Sequence, residues 1–344
     1  MHEAARALTQ SRLELLEHDA KPHDGQHACA VLVLQVERRA GPHQLLHHLR
    51  SNYPKYLILI NMWTELVDLH SHSTFSDGAQ SVAEMAKRAS ENGVKVWSLT
   101  DHDTDAGWQQ AFEESDKYDM RFIPGVEITC AMAIAADPAI LAKTETTQPH
   151  SWHLLAYFPT GGNEELSQWL AEQKDARLPR MKAMLAKLSE HGHHITIDEV
   201  SKYAEGSLGR PHLARVMIEK GIVESFQEAF DQWIGDDGPA FAPRPLPSIE
   251  EAVELVKRSN GITSLAHPLY YGIATKELVE YLQSAGVDAI EAFHRSHNSS
   301  YRLELMNSGM PITVGGDSHG TEYNPSPGKM VVTLKSLHPL FHPQ

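Results

Sequence analysis

From residue 65 onward, apolar positions alternate between two spacings. Seven short runs have the length of buried strands: Glu65–Leu69, Val94–Leu99, Phe122–Val126, Leu154–Phe158, Ile262–Leu265, Val287–Phe293 and Ile312–Val314. Several are separated by stretches with helical start and stop signals. Ser81-Val-Ala-Glu84 reads as a capping box, with Val82, Met85, Ala86 and Ala89 on one face and Asn92-Gly93 as the stop. Ser248-Ile-Glu-Glu251 opens a second helix that ends at Asn260-Gly261. Thr275 begins a third, closed by Gly286, and Tyr301–Asn307 forms a fourth. Helices alternating with short strands predict a parallel sheet.

The middle of the chain breaks this rhythm. Glu164–Glu190, Ile197–Ala204, Pro211–Lys220 and Ser225–Ile234 read as helices, and Gly238–Pro247 is a proline-rich close. The pattern predicts an α/β barrel in two parts, residues 62–162 and 247–335, separated by a helical insertion over 163–246. Residues 1–61 differ. They carry a helical stretch near Ala4–Leu16, a strand near Ala30–Val36, and seven histidines (His2, His18, His23, His27, His43, His47 and His48) at irregular spacing. This segment reads as a poorly ordered extension rather than a metal-gathering arm, because useful ligands need fixed spacing. The folded unit then begins near Met62, and residues 336–344 form a tail.

Composition narrows the class. The chain has 344 residues, 41% hydrophobic and 22% charged, which is the balance of a globular protein. Two cysteines, Cys29 and Cys130, exclude a disulfide scaffold and a Cys-rich zinc fold. No apolar run approaches the ~20 residues that span a bilayer. Tyr56–Ile60 is too short and too late for a signal peptide. The expectation is a cytoplasmic protein with no membrane partner and no protein partner. A net charge of −15 argues against a duplex-DNA binder, which needs a basic face. The 22 histidines, alongside excess carboxylates, are what a multi-metal site consumes.

The metal-type residues recur just past the predicted strands. His70 and His72 follow the first, Asp101, His102 and Asp103 the second, Glu127 the third, His267 the fifth, and Asp317 and His319 the last. In an α/β barrel the carboxyl ends of the strands form the active-site face, so these elements aim at one mouth. His153, at the start of its strand, fits that rule less well. Positions two apart on a strand share a side, so His70 and His72 can meet one ion. Asp77, in a Ser-Asp-Gly turn, can return a carboxylate, with Gly78 permitting the turn.

Taken in order, His70-Ser-His72, Ser76-Asp77-Gly78, Thr100-Asp101-His102-Asp103, Pro124-Gly125-Val126-Glu127, His153, Ala266-His267-Pro268 and Gly316-Asp317-Ser318-His319 resemble the PHP family, named for polymerase and histidinol phosphatase. The resemblance covers roughly Met62 to Gly320. It implies a distorted seven-stranded (β/α) barrel of PHP type holding two or three divalent ions, most often Mn2+, with Zn2+ or Fe2+ as alternatives. By that resemblance His70, His72, Glu127 and Asp317 hold one ion. Asp77, His102 and His319 hold a second. His153 and His267 hold a third, with Glu127 bridging. The stretch Ala131–Ser151 is an insertion ahead of His153 and makes His150 the runner-up for that ligand.

Histidinol phosphatases and polymerase-associated domains more often carry His where this chain has Asp77. The Ser-Asp-Gly form with a helical insertion resembles the branch holding nucleotide 3′,5′-bisphosphate phosphatases and RNase AM, a 5′→3′ exoribonuclease of short RNA. The resemblance implies a phosphoesterase that uses metal-activated water on nucleotides or short single-stranded RNA. A small-metabolite phosphatase, such as histidinol phosphatase, is the alternative. Asp101 is a candidate to orient a ligating imidazole or to transfer a proton. Arg177, Arg180 and Arg210, the last in a Gly209-Arg210-Pro211 turn, are candidates to grip a second phosphate. Tyr270, Tyr271 and Phe293 near the mouth suit packing more than base stacking, and His294 and His297 lie outside the motif set.

Overall fold

The computed structural model describes residues 63–64, 66–144, 151–204, 206–321, 327–328, 332–333 and 337–342. The expected elements at Ala4–Leu16 and Ala30–Val36, and His150, lie outside these residues. Strands β1 (Trp63–Thr64) and β10 (Val332–Thr333) pair antiparallel. Strands β2 (Val67–Asp68), β3 (Val96–Trp97) and β4 (Arg121–Phe122) form a parallel sheet of three. Strands β5 (Gly125–Ala131), β6 (Ser151–Tyr157), β7 (Ile262–Leu265), β8 (Ala289–Phe293) and β9 (Ile312–Val314) form a sheet of five in that order.

The two sheets meet at two seams. The amide of Leu69 donates to the carbonyl of Val314 at 2.9 Å, and Ser71 bridges Ser318. On the other side His102 bridges Glu127, whose amide donates to Thr100 at 3.2 Å. The all-parallel expectation fails at one strand: β6 runs antiparallel to both β5 and β7. The chain leaves β5, forms helix α3 (Pro138–Thr144), and re-enters on the side it left, which needs no crossover to the far end. His153 at the start of β6 therefore lies opposite Thr129, near the end of β5. Glu127 lies inside β5, not past the end of a strand at Val126.

The helices follow local signals. In α1 (Val82–Glu91), Ser81 accepts from the amide of Glu84 while Glu84 returns to Ser81, and Val82, Met85, Ala86 and Ala89 are buried. Next come α2 (Trp108–Lys117) and, in the middle of the chain, α4 (Glu164–Asp175), α5 (Arg177–Glu190), α6 (Ile197–Ser201), α7 (Arg210–Glu219) and α8 (Phe226–Ala229), which runs into a π-turn at Phe230–Ile234. The single helix expected over Glu164–Glu190 is two. Pro179 has no N–H and is tolerated only in a first turn, so the helix restarts at Arg177. This middle stretch builds a core of its own around Met184, Leu188, Leu213 and Met217. Helices α9 (Ile249–Arg258), α10 (Thr275–Ala285) and α11 (Ser299–Met306) accompany the later strands. The main core lies between them and the sheet, around Val126, Leu154, Tyr157, Val256, Leu265 and Ile290. Among the described residues, no helix is long and apolar enough to cross a membrane.

Candidate metal centre

His70 and His72 leave β2 with their rings on the same side, as a strand's period of two requires, and their Nε2 atoms come within 3.1 Å. Glu127 Oε2 lies 3.3 and 3.1 Å from those two nitrogens, and Asp317 Oδ1 lies 3.5 and 3.3 Å away. At 3.1 Å two imidazole nitrogens either share one proton or both present lone pairs to a cation. Four such atoms converge from beyond the ends of β2 and β9 and from within β5, all from side chains at least nine-tenths buried.

A second cluster adjoins the first. His319 Nε2 is 3.3 Å from Asp77 Oδ1, and His102 Nε2 is 3.8 Å from Asp77 Oδ2. The His72 ring closes the group. Gly78 is required because a Cβ there would lie 2.2 Å from the carbonyl oxygen of His72. In a third group, Glu127 Oε1 is 3.0 Å from both His153 Nδ1 and His267 Nε2, and Oε2 is 3.1 Å from His102 Nδ1. Five imidazoles thus face one carboxylate. All nine residues expected as ligands converge at one mouth. Asp103, His267 and Asp317 there take positive φ (52°, 29° and 49°), uncommon for residues other than glycine and a mark of over-determined surroundings.

Without a cation the cluster neutralises itself with protons. Burial opposes the charged form of His72, but the Asp317 and Glu127 oxygens beside it hold its ring up at about 10. Burial likewise pushes Glu127 and Asp77 up, and the surrounding imidazoles more than reverse this. His102 is pushed down to about 3 by burial, which keeps it a neutral donor. Its Nδ1 is buried and makes no hydrogen bond, although it faces Glu127. An orphaned imidazole nitrogen beside a carboxylate, in a set of six histidines and three carboxylates, is the chemistry of a site for borderline divalent cations.

Three residues around this set have roles the motifs did not reveal. Glu291, fully buried, accepts from His70 Nδ1 at 3.0 Å and from the amide of His267 at 2.7 Å. The sequence signal was a charged residue inside Ala289–Phe293, a strand otherwise apolar. His294 Nε2 lies 3.3 Å from Asp317 Oδ2, so it borders the centre, contrary to its expected bystander place. Arg295 donates to the same oxygen at 3.0 Å. Asp101 meets the cluster through hydroxyls: it accepts from the amide and hydroxyl of Ser73 at 2.8 and 2.7 Å and from the Ser76 hydroxyl at 2.5 Å, and that hydroxyl lies 3.5 Å from His72 Nδ1. It fastens the turn that carries His72 and Asp77.

Above the cluster opens a cavity of about 440 Å³. Asp77, His102 and His153 line its floor, and Arg177, Arg180, Arg210 and Arg244 line its wall. Arg177 and Arg244 meet Asp103, Arg210 meets Asp236 at 2.8 Å, and Arg180 donates to the carbonyl of Ala242 at 2.8 Å. Four guanidinium groups thus face two carboxylates. Burial and the neighbouring Arg210, Arg244 and Arg177 push Arg180 down from its ordinary value. All three expected arginines are in this wall. Arg244 escaped notice between Pro243 and Pro245, although the proline that follows it restricts its backbone. Tyr271 and Phe293 are buried in the core and Tyr270 is partly buried beside His267.

Comparison with known proteins agrees with this geometry. Residues 68–235 match the family model described as the PHP domain. A 5′-3′ exoribonuclease of Haemophilus influenzae is 30% identical over 263 residues, covering 74% of this chain and 90% of that protein. A 3′,5′-nucleoside bisphosphate phosphatase of Chromobacterium violaceum is 25% identical over 287 residues, covering 80% and 94%. The crystal structure of a Bifidobacterium adolescentis protein, described as a candidate metal-dependent phosphoesterase, superposes with a TM-score of 0.64 at 29% identity, over 75% of this chain and 90% of that one. With ordered motifs, fold and relatives in agreement, the chain belongs to the PHP family.

Proposed function

We propose that this protein is a metal-dependent phosphoesterase that hydrolyses phosphate esters of nucleotides carrying a second phosphate, or of short RNA from its 5′ end. The observation that carries the reading is the cavity, with a cation-type cluster as its floor and four arginines as its wall. The names of the relatives support the same substrate class.

In this reading His70, His72, Glu127 and Asp317 would hold one divalent ion, and Asp77, His102 and His319 a second. His153 and His267, together with Glu127, would hold a third. Manganese is the assignment, and zinc or iron suit the same donors. Such ions supply a water of lowered pKa and neutralise charge on the phosphoryl oxygens. The chain's own groups do the rest. Glu291 holds the His70 ring by its Nδ1, leaving Nε2 for the centre. Asp101, through Ser73 and Ser76, keeps the Asp77 turn in place. Arg177, Arg180, Arg210 and Arg244 receive the second phosphate, for which a planar fork suits paired oxygens.

The two seams support a barrel of seven strands, with β4 and β5 read as one bent strand. Net charge supports single-stranded or mononucleotide substrates over duplex DNA. Scarce cysteine supports the cytoplasm as compartment. The alternative, a histidinol phosphatase, leaves the arginine wall without an anion to bind. The test is hydrolysis of adenosine 3′,5′-bisphosphate, a 5′-phosphorylated RNA oligomer and histidinol phosphate by the manganese-loaded protein. Turnover of either of the first two is expected, and turnover of histidinol phosphate alone overturns the reading.

A further inference from the structure

Asp103 stands between the two halves of the cavity. It follows His102, its amide donates to the carbonyl of Glu127 at 3.1 Å, and its φ is 52°. Its carboxylate is fully buried. Oδ1 accepts from the amide of Thr129 at 2.8 Å, and Oδ2 from the Thr129 hydroxyl at 3.0 Å. Oδ2 also receives Arg177, from Nε at 3.1 Å and from its terminal nitrogen, and Arg244 at 2.6 Å. Arg177 opens α5, near the start of the helical segment, whereas Arg244 lies beyond that segment's last turn. One carboxylate therefore ties both flanks of the segment to the strand that carries Glu127.

We infer that Asp103 is a positioning residue that sets the reach from the metal floor to the arginine wall, and thereby selects substrates with a second anionic group. Two guanidinium groups at one point repel unless a charge lies between them, and Asp103 supplies it. The held arginines keep capacity for a ligand: Arg244 lines the cavity, and its Nε is buried without a hydrogen-bond partner. A left-handed Asp between a candidate ligand and this clasp persists only where its surroundings over-determine it.

The inference rests on the phosphoesterase reading, and one experiment separates the two. Steady-state constants are measured for the manganese-loaded wild type and Asp103→Asn on adenosine 3′,5′-bisphosphate and on p-nitrophenyl phosphate, which has no second anion. The ratio of the two kcat/KM values is expected to fall about tenfold or more in Asp103→Asn, mostly through KM for the bisphosphate. In the Arg177→Gln/Arg244→Gln background, Asp103→Asn should lower the ratio much less, because its partners are gone. If Asp103→Asn does not fold, Arg244→Lys keeps the charge but removes the fork, and should lower the ratio in the same direction. A wild type that cleaves neither of these substrates nor a 5′-phosphorylated RNA oligomer overturns the phosphoesterase reading and this inference with it, and one that cleaves the RNA alone overturns the inference as stated for the bisphosphate. A wild type that cleaves both, with an unchanged ratio in the variant or equal losses on both substrates, overturns the inference alone.

Discussion

Replacing Glu291 with Gln tests whether the His70 ring is held by its outer nitrogen. The carboxylate accepts two hydrogen bonds, from His70 Nδ1 at 3.0 Å and from the His267 amide at 2.7 Å. An amide has one acceptor oxygen and one donor NH2, so it can satisfy only one of these partners as they stand. Stranding the buried His267 N–H costs about 1–3 kcal/mol. Burial opposes charge on His70, but Glu291, Glu127 and Asp317 hold it well above its ordinary value, so the metal-free ring is protonated at both nitrogens; with Gln it can give up the Nδ1 proton, keep the one at Nε2 and accept from the new NH2. In the metal-free protein the proton kept at Nε2 faces Glu127 Oε2 at 3.3 Å. The same proton blocks the atom that faces the centre. Loss of such an outer partner costs about 10- to 100-fold in metal affinity. That is about 1.4–2.7 kcal/mol. Competition of Glu291→Gln against a chelator for Mn2+ should show this loss, and metal-induced stabilisation should shrink by a similar free energy. Unchanged metal affinity together with a lower metal-free melting temperature would refute the reasoning and leave Glu291 a purely structural residue.

Metal uptake should depend on pH. His72 titrates at about 10 in the metal-free cluster, so below that value an ion must displace its proton. Affinity should therefore rise with pH, by up to about tenfold per unit for each proton released. Calorimetric titration with Mn2+ in buffers of differing ionisation heat checks this, and the absence of proton release would contradict it. Gly315→Ala would set a Cβ 2.2 Å from the Cβ of His70 and 2.7 Å from its backbone nitrogen. Neither can yield without moving β2, so a loss of about 1–3 kcal/mol or more is expected in urea unfolding, with weakened metal binding. A wild-type midpoint would show that the strand seam is looser than described. Dialysis against a chelator should abolish hydrolysis and added Mn2+ should restore it, while full activity in protein verified as metal-free would exclude a metal-dependent reaction.

Much of the candidate centre was legible because its His and carboxylate residues cluster in or within a few residues of strands. His70-Ser-His72 needs only the strand period to put both rings together, and the capping boxes at Ser81 and Ser248 need only partners three residues away. Strand Ile262–Leu265 and strand Ile312–Val314 end where their apolar runs end. Pairing direction was beyond such signals. An apolar run reads the same in both directions, so the reversal of β6 that carries His153 to the mouth follows only from the path between β5 and β6. Helix α3 on that path was missed as well. Glu291 and His70 are 221 positions apart, and His294, Arg244 and the Asp103 clasp likewise depend on which elements meet. The sequence alone determined the types and order of the candidate ligands and the local caps, because those arise from neighbours within a turn or a strand period. The tertiary structure alone decided which outer groups orient the ligands and which arginines face them, because buried polar groups find partners across the fold, not along the chain.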